Sequence, residues 1–240
     1  MDRETWLITG GAGYIGTHIA DLFIADGKDV VLLDSLYQGL ESRVDFLRAK
    51  HGIDIPLEVT DVRDYAKVDA LIAAGGFTGI IHTAALKAVG ESMSKSEMNW
   101  NNNVASTEKL LAVLADNQVD KFVFSSSAAV YGTPESVPVT ESMPTLPESV
   151  YAETKLAVEK YLGTLAVRTA QPISSVSLRY FNAAGASSDN KIGEDWTTSQ
   201  NLLPRVMRAL LDSAFKFEIY GNDYATPDGS ALRDYVHLSD

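Results

Sequence analysis

The chain contains no cysteine, which removes at once a disulfide framework, a thiolate metal site and a cysteine nucleophile. Its four histidines, His18, His51, His82 and His237, stand far apart, without the spacing of a zinc site, so no metal is expected. No apolar run reaches the ~18 residues that a membrane helix requires. The N-terminus, Met1-Asp2-Arg3-Glu4-Thr5, leads into a strand pattern and not into a secretory leader. Positive charge is scarce: 20 Lys and Arg against 32 Asp and Glu give a formal net charge of −12. So acidic a chain repels phosphate backbones and anionic lipid. Nucleic acid and membrane are therefore not expected partners, and a cytoplasmic protein is expected.

What is present is ordinary globular composition. Of 240 residues, 45% are hydrophobic, enough for a substantial core. Short β-branched runs at 6–9, 30–33, 56–59, 79–82, 122–124 and 175–180 read as strands. Amphipathic stretches at 14–25, 40–50, 65–74, 101–116 and 150–169 fall between them. Strands alternating with helices imply βαβ units, and so a doubly wound parallel α/β sheet, Rossmann-like, over residues 1–185. Residues 186–240 read as a small, incomplete C-terminal region, with a helix at 202–211, a strand at 217–220 and another beginning near 235.

Thr9-Gly10-Gly11-Ala12-Gly13-Tyr14-Ile15-Gly16 joins the first strand to the first helix. Glycines there allow a tight turn, close backbone approach to a pyrophosphate, and a helix N-terminus aimed at the anion. Alone, such a run can be a plain strand-to-helix turn. Asp34 ends the second strand, where the dinucleotide fold places an acid on the ribose hydroxyls, and Ser35 follows with no arginine for a 2′-phosphate. NAD is the expected cofactor.

Tyr151 and Lys155 project from one face of the helix at 150–169. A free tyrosine titrates near 10, and bringing it to about 7 requires roughly 4 kcal/mol of phenolate stabilisation. A neighbouring ammonium supplies part of that. Ser125-Ser126-Ser127 follow the fifth strand on the rim where ligands of such sheets sit. Ser127, farthest out, is placed to share a proton with Tyr151 and to bond a substrate oxygen. Ser125 and Ser126 are expected to bond backbone or cofactor. His82 on an apolar strand reads as a core residue, and His18 and His51 as helix-surface residues.

Several motifs occur here in order: Gly-x-x-Gly-Tyr-Ile-Gly, the stretch 82–92 (His-Thr-Ala-Ala-Leu-Lys-Ala-Val-Gly-Glu-Ser), Ser-Ser-Ser-Ala-Ala-Val-Tyr-Gly, Tyr-x-x-x-Lys and Leu-Arg-Tyr-Phe-Asn at 178–182. They are followed by Tyr-Gly-Asn-Asp-Tyr at 220–224 and Leu-Arg-Asp-Tyr-Val-His at 232–237. Together they resemble the UDP-glucose 4-epimerases of the extended short-chain dehydrogenase/reductase family, over essentially the whole chain. The resemblance implies an isomerase that interconverts UDP-galactose and UDP-glucose by transient oxidation at sugar C4. It assigns catalysis to Ser127, Tyr151 and Lys155. Along the cofactor it implies Gly10, Gly13, Tyr14, Ile15, Gly16, Asp34, Asp61, Val62, Ala84, Ala85, Lys87, Asn102, Ser125 and Tyr180, together with Tyr151 and Lys155. For the UDP-sugar it implies Lys87, Ser127, Tyr151, Asn182, Asn201, Leu202 and Arg233. A homodimer through paired helices is also implied.

Family members run on beyond the point corresponding to Asp240, so the resemblance implies a truncated epimerase whose helix at 202–211 exposes apolar surface. Ala85 stands where glycine is frequent. Two rival readings remain. One is another NAD-dependent nucleotide-sugar enzyme, a 4,6-dehydratase or decarboxylase, although Ser127-Ala128-Ala129 offers no dehydratase acids. The other is a non-catalytic NAD-binding domain left by truncation.

Overall fold

The computed structural model describes residues 3–86, 96–168 and 172–240, the last two residues of the middle stretch by backbone alone. Lys87 lies outside the described residues. Contacts divide the chain into two compact units, Met1–Arg179 and Tyr180–Asp240; the sequence reading divides it after Gly185.

The N-terminal unit is built from β1 (Thr5–Thr9), α1 (Tyr14–Ala25), β2 (Asp29–Asp34), α2 (Glu41–His51), β3 (Leu57–Val59), α3 (Tyr65–Gly75) and β4 (Gly79–His82). It continues through α4 (Ser96–Trp100), a π-helical turn (Asn101–Ala105), α5 (Ser106–Asp116) and β5 (Lys121–Ser125). A 3₁₀ turn (Ala128–Tyr131), α6 (Val150–Arg168) and β6 (Ser174–Leu178) complete it. The six strands pair in parallel in the order β3-β2-β1-β4-β5-β6. The winding reverses between β1 and β4, so the connections leaving their C-terminal ends go to opposite faces of the sheet, and such a switch point is where these sheets bind ligands.

The central strands are apolar on both faces, as a doubly covered sheet requires: Leu7, Ile8, Leu32 and Ile80 are wholly buried. On one face a continuous core links Leu7 and Ile80 with Leu110, Leu111 and Leu114 of α5 and with Val158 and Leu162 of α6. His82 belongs to this interior. Its Nδ1 lies 2.7 Å from Thr9 Oγ1, its Nε2 lies 2.9 Å from Thr107 Oγ1, and its ring stacks near Phe122 and Phe124. Burial first, and the Lys155 charge second, push its pKa down to about 3, so it is neutral at physiological pH.

His18 corrects the sequence reading. It is buried, because α1 lays its Gly16–Ala20 face on the sheet, and it contacts the Tyr14 carbonyl and ring. His51 is half-buried and pairs with Asp21 at 2.7 Å.

The C-terminal unit holds β7 (Asn182–Ala184), α7 (Leu202–Leu211) and β8 (Tyr235–His237), with β7 and β8 paired in parallel. The expected strand at 217–220 does not form. Its rings instead face a cation: Phe217 and Tyr220 have centroids 6.0 and 5.6 Å from the Arg205 guanidinium, and the preceding Phe215 lies 5.6 Å from Arg205 and 4.6 Å from Arg208. The exposed face of α7 carries Leu203, Met207, Leu210 and Leu211. Among the described residues no helix is long and apolar enough to cross a membrane, and no cluster of His, Asp or Glu could hold a metal ion.

Candidate active site

The glycine loop is held at the end of β1 by Gly10 N and Gly11 N, which donate to the Leu33 carbonyl at 2.8 and 3.3 Å. Gly10 adopts φ +71°, and a Cβ there would lie 2.8 Å from Ala84 N, so the loop is pressed against the chain leaving β4. At Gly16 a Cβ would sit 2.2 Å from the Gly10 carbonyl oxygen. Neither position tolerates a side chain without moving backbone. α1 starts from Gly13 with no side-chain cap and no acid in its first turn, and Tyr14 and Ile15 in that turn are half-buried. This is a cradle of backbone N–H groups suited to a diphosphate.

Asp34 closes the cradle. Its Oδ2 accepts from Ala12 N at 3.0 Å and its Oδ1 from Leu36 N at 2.8 Å. Burial raises its pKa, opposed by those amides and by Arg43. Gly39 lies so close that a Cβ would be 2.6 Å from Oδ1. The Gly13 amide acts on the carboxylate in the same direction as those amides, and an ionised carboxylate, an acceptor only, suits a ribose hydroxyl. The residues present therefore fit a dinucleotide with free ribose hydroxyls, and an anion at Asp34 disfavours a 2′-phosphate. Of the expected adenine contacts, Asp61 is engaged by Arg63, whose Nε lies 2.9 Å from Oδ1, and Val62 packs into the core.

The rim beyond β4 and β5 assembles the remainder. Ala84 and Ala85 are half-buried after β4. Asn102 lies in the π-helical turn, and its Nδ2 donates to Asn103 Oδ1 at 3.0 Å. Asn103, absent from the sequence reading, is buried and ties three segments together. Its Oδ1 accepts from Leu86 N at 2.9 Å, and its Nδ2 donates to Leu86 O and Thr154 Oγ1, both at 3.2 Å. An extra residue wound into the helix aims Asn103 at both partners, and π turns of this kind recur at functional sites.

Tyr151 and Lys155 share a face of α6. Lys155, 2% exposed, donates to the Ser125 carbonyl at 2.7 Å and lies 4.8 Å from the Phe124 ring and 5.6 Å from the Tyr151 ring. A carbonyl and two ring faces stabilise an ammonium less than water does, so burial lowers its pKa to about 7. An anion arising on Tyr151 would favour the charged lysine, and reciprocally the ammonium favours the phenolate. Ser127 is half-buried with extended backbone, its Oγ accepting from Ala129 N at 3.2 Å. Ser125 is buried and offers its carbonyl to Lys155. Ser126 bonds backbone through its amide, on the Phe124 carbonyl at 2.9 Å, while its hydroxyl bonds the Glu159 carboxylate. Glu159 escaped the sequence reading, although its place eight residues after Tyr151 on the same helix face was a signal.

The remaining candidates belong to the C-terminal unit. Tyr180 is half-buried. Asn182 Nδ2 donates to the Asp234 carbonyl at 2.8 Å, which brings Asn182 beside the residue after Arg233. Arg233 is exposed, its Nη1 on the Leu232 carbonyl at 2.9 Å. Asn201 Nδ2 donates to Glu194 Oε1, and Leu202 is 47% exposed at the start of α7.

The chain is similar to known proteins over nearly its whole length. Residues 6–240 match the model of the NAD dependent epimerase/dehydratase family. A UDP-glucose 4-epimerase of Halalkalibacterium halodurans is 40% identical over 98% of the chain, which spans 67% of that protein's length. UDP-glucose 4-epimerase 2 of Oryza sativa subsp. japonica is also 40% identical, over 99% of the chain and 59% of its own length. Among solved structures, UDP-glucose 4-epimerase from Bifidobacterium longum in complex with NAD+ and UDP superposes with a TM-score of 0.92 at 38% identity, covering 98% of this chain and 70% of that one.

Proposed function

Because the chain belongs to the NAD dependent epimerase/dehydratase family, we propose that it interconverts UDP-galactose and UDP-glucose by inverting the sugar at C4. The observation that carries the reading is the cluster at the end of β5. There Lys155 is held by Ser125 O beneath the Tyr151 ring, in the same sheet whose β1 and β2 present the glycine loop and Asp34. The curated relatives are similar over nearly the whole chain.

NAD supplies the hydride acceptor and donor. The glycine loop and helix α1 would hold its diphosphate, and Asp34 the adenine ribose. Tyr151 Oη takes the proton of the sugar 4-hydroxyl as the C4–H pair leaves as hydride, so the sugar becomes a 4-ketone. Ser127 Oγ bonds the same oxygen and keeps it in register through proton transfer. The buried Lys155 ammonium stabilises the phenolate before the step and holds the nicotinamide ribose. Asn182, Asn201, Leu202 and Arg233 would hold the UDP portion, Arg233 countering diphosphate charge. Once the ketone has turned its other face, Tyr151 gives the proton back to the C4 oxygen. Proton and hydride both return, so the cycle consumes no oxidant.

A cytoplasmic homodimer completes the reading. Its interface would use α5 and α6, where Leu111, Ala115, Tyr161 and Leu165 line a shallow apolar groove. The test is proton NMR of UDP-galactose incubated with the chain and NAD. UDP-glucose signals are expected, reduced about 10³-fold in rate by Tyr151→Phe. Conversion that survives Tyr151→Phe would overturn the assignment.

A further inference from the structure

The ion pair behind the serine segment takes no part in the steps above. Tyr151, Lys155 and Glu159 follow one another at four-residue intervals and share a face of α6. The Glu159 side chain is only 8% exposed. It accepts a hydrogen bond from Ser126 Oγ. Arg179, just past β6, spans its carboxylate, with Nε 3.0 Å from both oxygens and Nη2 on Oε2. Arg179 Nη1 also donates to Tyr131 Oη at 2.9 Å, and the guanidinium lies 5.0 Å from that ring's centroid.

A buried ion pair is a poor device for stability, because desolvation offsets most of its attraction. It is a good device for geometry, because a bidentate arginine–carboxylate contact fixes distance and plane together. What it fixes here is informative. Ser126 precedes Ser127 directly, and Tyr131 ends the 3₁₀ turn that Ser127 caps. One residue further back, Ser125 O is held by Lys155. Successive turns of one helix face thus hold successive points of the serine segment.

We propose that Glu159 and Arg179 are positioning residues that clamp this segment on both sides of Ser127 and so set its hydroxyl against Tyr151. The catalytic consequence rests on the epimerase reading; the clamp itself is a property of the segment.

The test uses Glu159→Gln, Arg179→Met and Arg179→Lys in the full chain. Hydrogen exchange at the Ser126, Val130 and Gly132 amides is expected to quicken about tenfold or more in Arg179→Met, with the glycine loop unchanged and partial rescue in Arg179→Lys. If Arg179→Met does not fold, Glu159→Gln gives the same reading. In kinetics each substitution is expected to lower kcat about tenfold or more, with KM for UDP-galactose nearly unchanged. In a Ser127→Ala background the same substitution should produce no further loss. Unchanged exchange in the segment overturns the proposal, as do losses that multiply with Ser127→Ala. A parent chain that does not epimerise counts against the epimerase reading alone, and the exchange result still supports or overturns the clamp.

Discussion

At the end of β5 the polar groups are sunk into the protein: Ser126 is wholly buried and Lys155 is 2% exposed. Their partners come from other elements, 30 residues away for Lys155 and 33 for Ser126. In the C-terminal unit Arg233 bonds the carbonyl of its immediate neighbour, Asn201 bonds a side chain seven residues back, and Leu202 is half in solvent. The first arrangement is preorganised. Its groups were desolvated when the chain folded, so they need no reorganisation at the moment of reaction. The second is adaptable, because local partners are exchanged cheaply for a ligand's oxygens. On the proposed reading the first carries proton transfer, which demands fixed distances, and the second holds a nucleotide, which tolerates adjustment.

The comparison breaks if Lys155 proves dispensable. Lys155→Met is expected to lower kcat by about 10²-fold or more and also to change the pH dependence of stability. The folded lysine titrates near 7 and the unfolded one near 10.4, so between those values the unfolded chain binds more protons and stability rises with pH. Urea midpoints of the parent chain should therefore climb across that window, and those of Lys155→Met should climb less. His82, with its folded pKa near 3, adds a second rise with pH between about 3 and 6.5, by the same sign.

A smaller effect sharpens the preorganised side. Gly16→Ala forces the Gly10 carbonyl away and is expected to weaken NAD binding by about tenfold or more and to destabilise the fold by roughly 1–3 kcal/mol. Cofactor titration and thermal unfolding read the two effects separately. The smallest effect lies on the adaptable side. Arg233→Ala should raise KM for UDP-galactose about tenfold, with kcat nearly unchanged, as loss of uniform binding requires. A loss in kcat equal to that in kcat/KM would mean that Arg233 acts on the transition state, and the contrast between the units would fail there.

Much of the site was legible because it is local. The glycine loop, α1 from Tyr14, Asp34 at the end of β2 and the Tyr151–Lys155 spacing are each fixed within a few residues, and the structure places them as read. The strand expected at 217–220 failed because aromatic composition alone does not supply a pairing partner; its rings packed on Arg205 instead. His18 was misread because the face of α1 that becomes buried is decided by the sheet beneath it. The link between Glu159 and Arg179 escaped the sequence reading for the same kind of reason. Their meaning depends on β6 running beside β5, a pairing that no local pattern announces.

The π-helical turn at Asn101–Ala105 makes the length of this stretch, as well as its composition, part of the site. A π turn carries one residue more than the α-helical turn it replaces. Excising a single residue there would let the helix close into regular winding, with every side chain on one flank turned by about 100° relative to the other. Asn103 would then point away from Leu86 and Thr154 even though no contacting residue had been altered. A one-residue deletion in this stretch should therefore be more harmful than most single replacements within it, because what it erases is the count.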